Sequence, residues 1–430
     1  MKKYLDNLPK EILQLVYLAR DVAAEKGLHA YLVGGFVRDL ILGVPNFDLD
    51  IVVQDNAFMF ASEIARRLKV RLITHHRFGT GTLITPGKIK VDIATIRRES
   101  YPHPGSLPDV SPGTIEEDLA RRDFTINALA IDLIPRNFGK VVDYYHGRND
   151  LQAGIIRILH DLSFIDDPTR IIRAVRFERR FEFRIEPRSL KLLQDAKRMG
   201  MLKRLSPHRL RDELILILKE PRAYNCILRL DKLAGFDFMH PNLKLNKKNL
   251  HFLALIKKEI NWFRGSFSKR RNLDGWLMYC IGILSPLKRE EINQVCKRFG
   301  LRRGEVKRVL TYKKFPKTKI QRLSKKNISP SQLYQILESL SFEVILLIKA
   351  EQENKNLKHN IERFLRCYNG IRLHVSGEDL NKLGLKPSPD YKKILNRLLS
   401  HQLNGKIKSR RDALNWIVRF FLPKLKAGLN

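Results

Sequence analysis

The chain has 430 residues, with 81 Lys and Arg against 45 Asp and Glu, a formal net charge of +36 and a pI near 10.2. That length admits a large core and several domains, and that excess of positive charge points to a polyanionic partner such as nucleic acid. No apolar run is long enough to span a bilayer, SFEVILLIKA (341–350) being too short, and Cys226, Cys280, Cys296 and Cys367 lie too far apart for a zinc knuckle or a disulfide framework, which fits buried free thiols in the cytoplasm.

Residues 1–30 are expected to form one helix, with Leu5, Ile12, Leu13, Val16 and Leu18 spaced for a buried face. An Asp6 and a Glu11 interrupt any signal-peptide core. The stretch YLVGGFVRDLILGVPNFDLDIVV (31–53) then predicts a strand, a Gly34-Gly35 turn, a short helix from Phe36, and a second strand. The glycines allow a ligand close to a helix N-terminus, where free N–H groups favour phosphate. Asp48 and Asp50 leave the same face of their strand, while Leu49, Ile51 and Val53 point into a core. Two same-side carboxylates repel unless a cation lies between them, and Mg²⁺ suits two carboxylates plus substrate phosphates. Together with Arg38 the pattern predicts phosphoryl or nucleotidyl transfer; a solvated hairpin edge is the bland alternative.

A helix over Phe58–Leu68 and strands in VRLITHH, GTLITPG and KIKVDIATI follow. On the last, Asp92 is a candidate third carboxylate, or equally a solvated strand residue. His75-His76 and His160-Asp161 lack matching ligands and read as structural. RRESYPHPGSLPDVSPGTIEED (97–118) is rich in Pro, Gly and Ser and is expected to be a long loop outside any sheet. In RRDFTINALAID (121–132) a helix is expected to start at Thr125, with Arg121-Arg122-Asp123 before it. DDPTRIIRAVRF (166–177) opens a helix that Asp167 could cap, placing Arg170, Arg173 and Phe177 on one face with Arg176 beside them. SPHRLRDELILIL (206–218) is a Ser-capped helix.

GGFVRD with FDLDIVV resembles the head motif of the class II tRNA nucleotidyltransferases (CCA-adding enzymes) and bacterial poly(A) polymerases, members of the polymerase-β-like superfamily. RRDFTINA resembles that family's second motif, GRNDLQAGIIRIL its head–neck hinge packed by Ile155, Ile156 and Ile158, and DDPTR its base-selecting motif, with Asp166 where Glu is usual. Motifs of this kind run through residues 1–220.

The resemblance implies an α+β chain: a nucleotidyltransferase head with a mixed sheet over 1–146, then an all-helical neck (147–220), basic body (221–370) and tail (371–430). It implies catalytic Asp48, Asp50 and Asp92, with Mg²⁺ on Asp48 and Asp50. It implies a nucleotide pocket of Gly34, Gly35, Arg38, Arg122, Asp123, Asn127, Asp167, Arg170, Arg173 and Arg176, with Asp167 and Arg170 choosing the base. The loop over 97–118 resembles one that helps switch the reaction to the final adenosine. The expected partners are CTP, ATP and the tRNA 3′ end, with no membrane. Addition of CCA, of the terminal A alone, of CC alone, or of poly(A) all remain open, as does a non-catalytic RNA-binding protein; the long loop argues against CC alone. The oligomeric state stays open.

Beyond residue 220 composition carries the reading. Residues 241–330 hold 24 Lys or Arg against 5 Asp or Glu, with Trp262, Phe263, Trp276, Tyr312 and Phe315 among them, as a nucleic-acid surface would. HVSGEDLNKLGLKPSPDYKKILNRLL (374–399) resembles the family's C-terminal Gly-x-x-Pro-Gly-Pro segment with Ser388 for its middle Gly, and is expected to be loop then helix.

Overall fold

The computed structural model describes residues 2–46, 48–75, 79–269, 273–385 and 387–421. They fall into two compact units, Met1–Asn242 and Leu243–Asn430. The first unit opens with a 3-10 turn, Lys2–Asn7, and helix α1 (Lys10–Glu25), not the single helix expected over 1–30. Pro9 causes the break, because proline disfavours helical geometry in the residue before it. The buried face is Ile12, Leu15, Val16 and Ala19; Leu13 and Leu18 are only half-buried.

Strand β1 (Ala30–Val33) runs directly into helix α2 (Gly34–Leu42), and β2 (Asp48–Val53) and α3 (Ala57–Leu68) follow. Next come β3 (Leu72–His75), β4 (Thr80–Ile84), β5 (Lys90–Thr95), β6 (Arg97–Ser100), β7 (Asp109–Pro112) and α4 (Ile115–Ala120). Strands β8 (Ala130–Asp132) and β9 (Val141–Val142) complete a seven-stranded mixed sheet of order β3-β4-β5-β2-β1-β8-β9, in which β2 and β5 run parallel. Leu49, Ile51, Val53, Val91 and Ile93 are buried on one face, which leaves the alternate residues, the aspartates, on the other.

Two expectations fail here. The stretch over 97–118 is not a structureless loop, because β6 and β7 pair in a ribbon from Arg97↔Pro112 to Ser100↔Asp109, outside the main sheet. Pro112 is tolerated because it ends its strand. Nor does Thr125 start a long helix: Thr125–Asn127 makes one 3-10 turn, and the apolar run after it is drawn into the sheet, where β8 pairs with β1. His76 lies outside the described residues.

Helix α5 (Gly147–Ala153) begins against that turn: a Cβ on Gly147 would stand 2.2 Å from the Thr125 carbonyl oxygen. Then come β10 (Ile155–Ile156), α6 (Ser163–Asp166), α7 (Thr169–Arg180), β11 (Arg184–Ile185), α8 (Pro187–Arg198), α9 (Met201–Arg204), α10 (Pro207–Lys219) and α11 (Ala223–Leu233). The stretch 147–220, expected to be all-helical, is not purely so, since β10 and β11 pair. Ile156 and Ile158 are buried, Ile155 is half-buried, and Arg157 pairs with Asp150.

The second unit is helical. Its helix Phe342–Glu351, the apolar stretch of the sequence, is buried from Glu343 to Ala350. Two charges buried with it are paired: Lys349 lies 2.8 Å from both Glu259 and Glu362, and Glu343 lies 3.4 Å from Arg308. Phe263 and Tyr312 are core residues and not an RNA-facing surface, because each completes a helix's apolar stripe; Trp262, Trp276 and Phe315 are half-buried. Cys226, Cys280 and Cys296 are buried, but Cys367 is exposed. In the tail a short helix, Gly377–Lys382, precedes Asp390–Leu403, and Leu380, Ile394, Leu398 and Ile417 form its core. Among the described residues no helix is long and apolar enough to cross a membrane.

Candidate active site

The pleat of the sheet sets the carboxylates in rows. Across β4, β5 and β2, Thr82, Asp92 and Asp50 form one row, and Ile84, Lys90 and Asp48 the next. Burial pushes the Asp50 carboxyl up to about 6; Arg122 opposes the shift, while Asp92 and Asp48 add to it. Asp92 is thus a neighbour of Asp50, and no isolated strand residue. Thr82 Oγ1 donates to it at 2.6 Å and Lys90 pairs with it at 2.5 Å. Among the described residues no group of three or more His, Cys, Asp and Glu converges as a metal cage. The donor set is therefore a pair of aspartates with a third alongside, which fits a hard divalent cation that draws its other ligands from water and phosphate.

Gly34 and Gly35 open α2 beside this row. Gly34 has φ +68°, and a Cβ there would come within 2.6 Å of Arg122 Nη1. Glycine is needed both for the backbone turn and for the approach of that guanidinium. Arg38, almost fully buried, binds Asp39 through Nε and Nη2 and donates through Nη1 to Asn127 Oδ1 at 2.6 Å. Its guanidinium lies over the rings of Phe177 and Phe181. Asn127 in turn donates to Asp123, whose other oxygen accepts from Arg173 at 2.6 Å. Burial alone would raise Asp123, but Arg173 and Asn127 outweigh it and bring the carboxyl down to about 2. Arg173 also pairs with Glu213, 3.3 Å away.

Helix α7 supplies the remaining wall. Asp167 Oδ1 accepts from Thr169 N at 3.1 Å and from Thr169 Oγ1 at 2.6 Å, as a helix cap, and pairs with Arg209 at 2.8 Å. Arg170 is buried, donating to Ser163 Oγ and to the Arg121 carbonyl. Two of its five N–H donors serve these bonds. The Nε atoms of Arg122 and Arg176 are buried without a hydrogen-bond partner. Burial lowers Arg176, with Glu213 opposing.

The structure gathers Gly34, Gly35, Arg38, Asp50, Arg122, Asp123, Asn127, Asp167, Arg170, Arg173 and Arg176 around one cavity of about 640 Å³. Asp48 and Asp92 do not line it. Asp92 lines a second cavity of about 470 Å³, with Thr80, Thr82 and Lys90, and the two cavities share Asp50, Arg121 and Arg122. Sequence reasoning missed Arg209 and Glu213 as wall residues; their i, i+4 spacing on a Ser-capped helix was the available signal. The first cavity, lined by guanidinium groups and reaching Asp50, has the charge to take a polyphosphate.

Comparison with known proteins agrees. The Poly A polymerase head domain model matches residues 30–157, the model "Probable RNA and SrmB- binding site of polymerase A" residues 182–246, and tRNA nucleotidyltransferase domain 2 residues 270–418. An A-adding tRNA nucleotidyltransferase of Geobacter sulfurreducens is 36% identical over 96% of this chain and 47% of its own length. That of Halalkalibacterium halodurans is 33% identical over 97% of this chain and 94% of its own. The Thermotoga maritima CCA-adding enzyme complexed with tRNA is 32% identical, with a TM-score of 0.76 over 97% of both chains. The chain belongs to the tRNA nucleotidyltransferase and poly(A) polymerase family. It spans about half the length of the Geobacter relative.

Proposed function

We propose that the chain is a template-independent tRNA nucleotidyltransferase that adds the terminal A to the 3′ end of tRNA from ATP, releasing pyrophosphate. The observation that carries this is the junction of the two cavities at Asp50. A nucleotide in the larger cavity has its α-phosphorus at the carboxylates, and an acceptor in the smaller one approaches from the other side. In-line displacement requires that arrangement: the 3′-oxygen bonds to the α-phosphorus as the bond to the pyrophosphate oxygen breaks.

Mg²⁺ held by Asp48 and Asp50 would polarise the phosphate and lower the pKa of the attacking hydroxyl. Arg122 and Arg176, which line the larger cavity, bind the triphosphate. Asp123 and Asn127, fixed by Arg173 and Arg38, shape the ribose side. Asp92 orients the acceptor hydroxyl. Adenine and cytosine both offer an amine beside a ring-nitrogen acceptor, which a carboxylate and a guanidinium, Asp167 and Arg170, can read together. The excess positive charge serves tRNA phosphates, and a tRNA substrate together with free cysteines supports a cytoplasmic setting.

The experiment supplies tRNAs ending before CCA, before CA and before A, with each nucleoside triphosphate separately. Extension of the last substrate alone, by one A, is expected from the two A-adding relatives. Extension of all three is the CCA-adding reading, favoured by the similarity to the Thermotoga enzyme. Runs of A indicate a poly(A) polymerase, and addition that stops at CC, or no pyrophosphate from any substrate, overturns the proposal.

A further inference from the structure

Asp48 begins β2 at a level where β1 has already turned into α2: the β1–β2 register runs from Ala30↔Val53 to Leu32↔Ile51, and α2 starts at Gly34. The Asp48 amide is instead accepted by Asn46 Oδ1 at 2.9 Å. The other end of the same side chain, Nδ2, donates to Asp39 Oδ2 at 2.8 Å. Asp39 is a buried carboxylate whose first oxygen is taken by Arg38 at 2.7 Å, so Asn46 satisfies the second. Arg38 is immobilised between Asn127 and two phenylalanine rings. A continuous hydrogen-bonded chain therefore runs Asp48–Asn46–Asp39–Arg38–Asn127–Asp123–Arg173, from the first aspartate of the pair to the helix lining the nucleotide cavity.

We propose that Asn46 is a positioning residue: it takes the place of the missing strand at the Asp48 backbone N–H and ties the start of β2, which carries the Asp48 side chain, to the buried Arg38–Asp39 pair, so that the cation site is set by the nucleotide cavity's own wall. The inference rests on the reading of Asp48 and Asp50 as cation ligands. It assigns to Asn46 no contact with substrate. Supporting partners of this kind change metal affinity or activity by about 10- to 100-fold when removed.

The test uses the full chain and Mn²⁺ as the probe. Asn46→Ala should weaken Mn²⁺ binding, measured by calorimetry without nucleotide, by about tenfold, and raise the Mg²⁺ concentration for half-maximal transfer in step, with KM for ATP at saturating Mg²⁺ within about twofold of wild type. Asn46→Ser keeps an oxygen able to accept from the Asp48 amide but loses the Asp39 link, and guards against loss of the fold. The exchange variant Asp39→Asn with Asn46→Asp restores donor to acceptor and should recover most of the binding that either single change loses. A lowered melting temperature with unchanged Mn²⁺ binding in both Asn46 variants, or no recovery in the exchange variant, overturns the proposal. Wild-type protein that neither binds Mn²⁺ nor needs a cation removes the cation reading itself, a result visible before any variant is made.

Discussion

Asp50 and Asp92 stand directly opposite each other on the parallel strands β2 and β5, one carboxylate raised by burial and the other held by Lys90 and Thr82. The pair gathers negative charge that a cation placed between the strands would relieve.

Thermal melts in a chelator should expose that charge. Asp50 holds its proton more tightly folded than unfolded, so its favourable contribution is full below its unfolded value of 3.8 and is lost as pH rises through about 6. Asp50→Asn should therefore stabilise the protein at pH 8, by at most about 3 kcal/mol, with the gain shrinking toward pH 4. The same variant, like Asp48→Asn, should abolish transfer while tRNA affinity stays nearly intact. A gain independent of pH would show that burial is not what raises Asp50.

Asp167→Ala with Arg170→Ala should relax selection against UTP and GTP by about ten- to a hundredfold, the cost of unpaired polar contacts. Because Asp167 also caps α7 through Thr169, a loss of about 1 kcal/mol in stability is expected with it. Incorporation of all four nucleotides beside a melting curve measures both. Unchanged selectivity would leave Asp167 only the cap.

Arg209 joins the ribbon tip to the same carboxylate, donating to the Gly105 and Ser106 carbonyls as well as to Asp167. Arg209→Ala should speed hydrogen exchange over residues 101–108 about tenfold or more, with β2 and β5 unaffected. Equal protection in the variant would mean that the tip is held by the Gly105–Asp166 backbone bond alone.

Binding to tRNA should weaken steeply with added salt, as phosphate contacts release counterions. Truncation after Asn242, the boundary between the two compact units, should cost most of the affinity. Full affinity in the truncated protein, or binding indifferent to salt, contradicts the assignment of RNA contacts to the basic region.

The head was largely legible because its signals are local: alternation placed Asp48 and Asp50 on one face, and GGFVRD and RRDFTIN lie in short contiguous runs. What escaped was set by distant partners. Thr125 begins a helical pattern, yet Ala130–Asp132 is claimed by β1, a pairing that local propensity does not register. The Pro- and Gly-rich stretch hides a ribbon whose Glu99 is fixed by Arg121, 22 residues on. Two of the five aromatic residues of the basic region escape for a related reason: Phe263 and Tyr312 sit among basic residues in sequence but turn inward on their helices.

Gly147 fixes where the molecule can and cannot bend. A hydrogen is all that the contact with the Thr125 carbonyl admits, and Leu129 closes the remaining side at 3.1 Å. Thr125 is bound again by Asp150, within α5, and by the Arg157 carbonyl beyond it. The last turn before β8 and the first residue of α5 are thus a single casting with no clearance between its parts. Any replacement of this glycine adds at least one carbon and prises the joint open, so no other residue is neutral here. Flexing between the sheet and the helices that follow has to be taken up further along the chain.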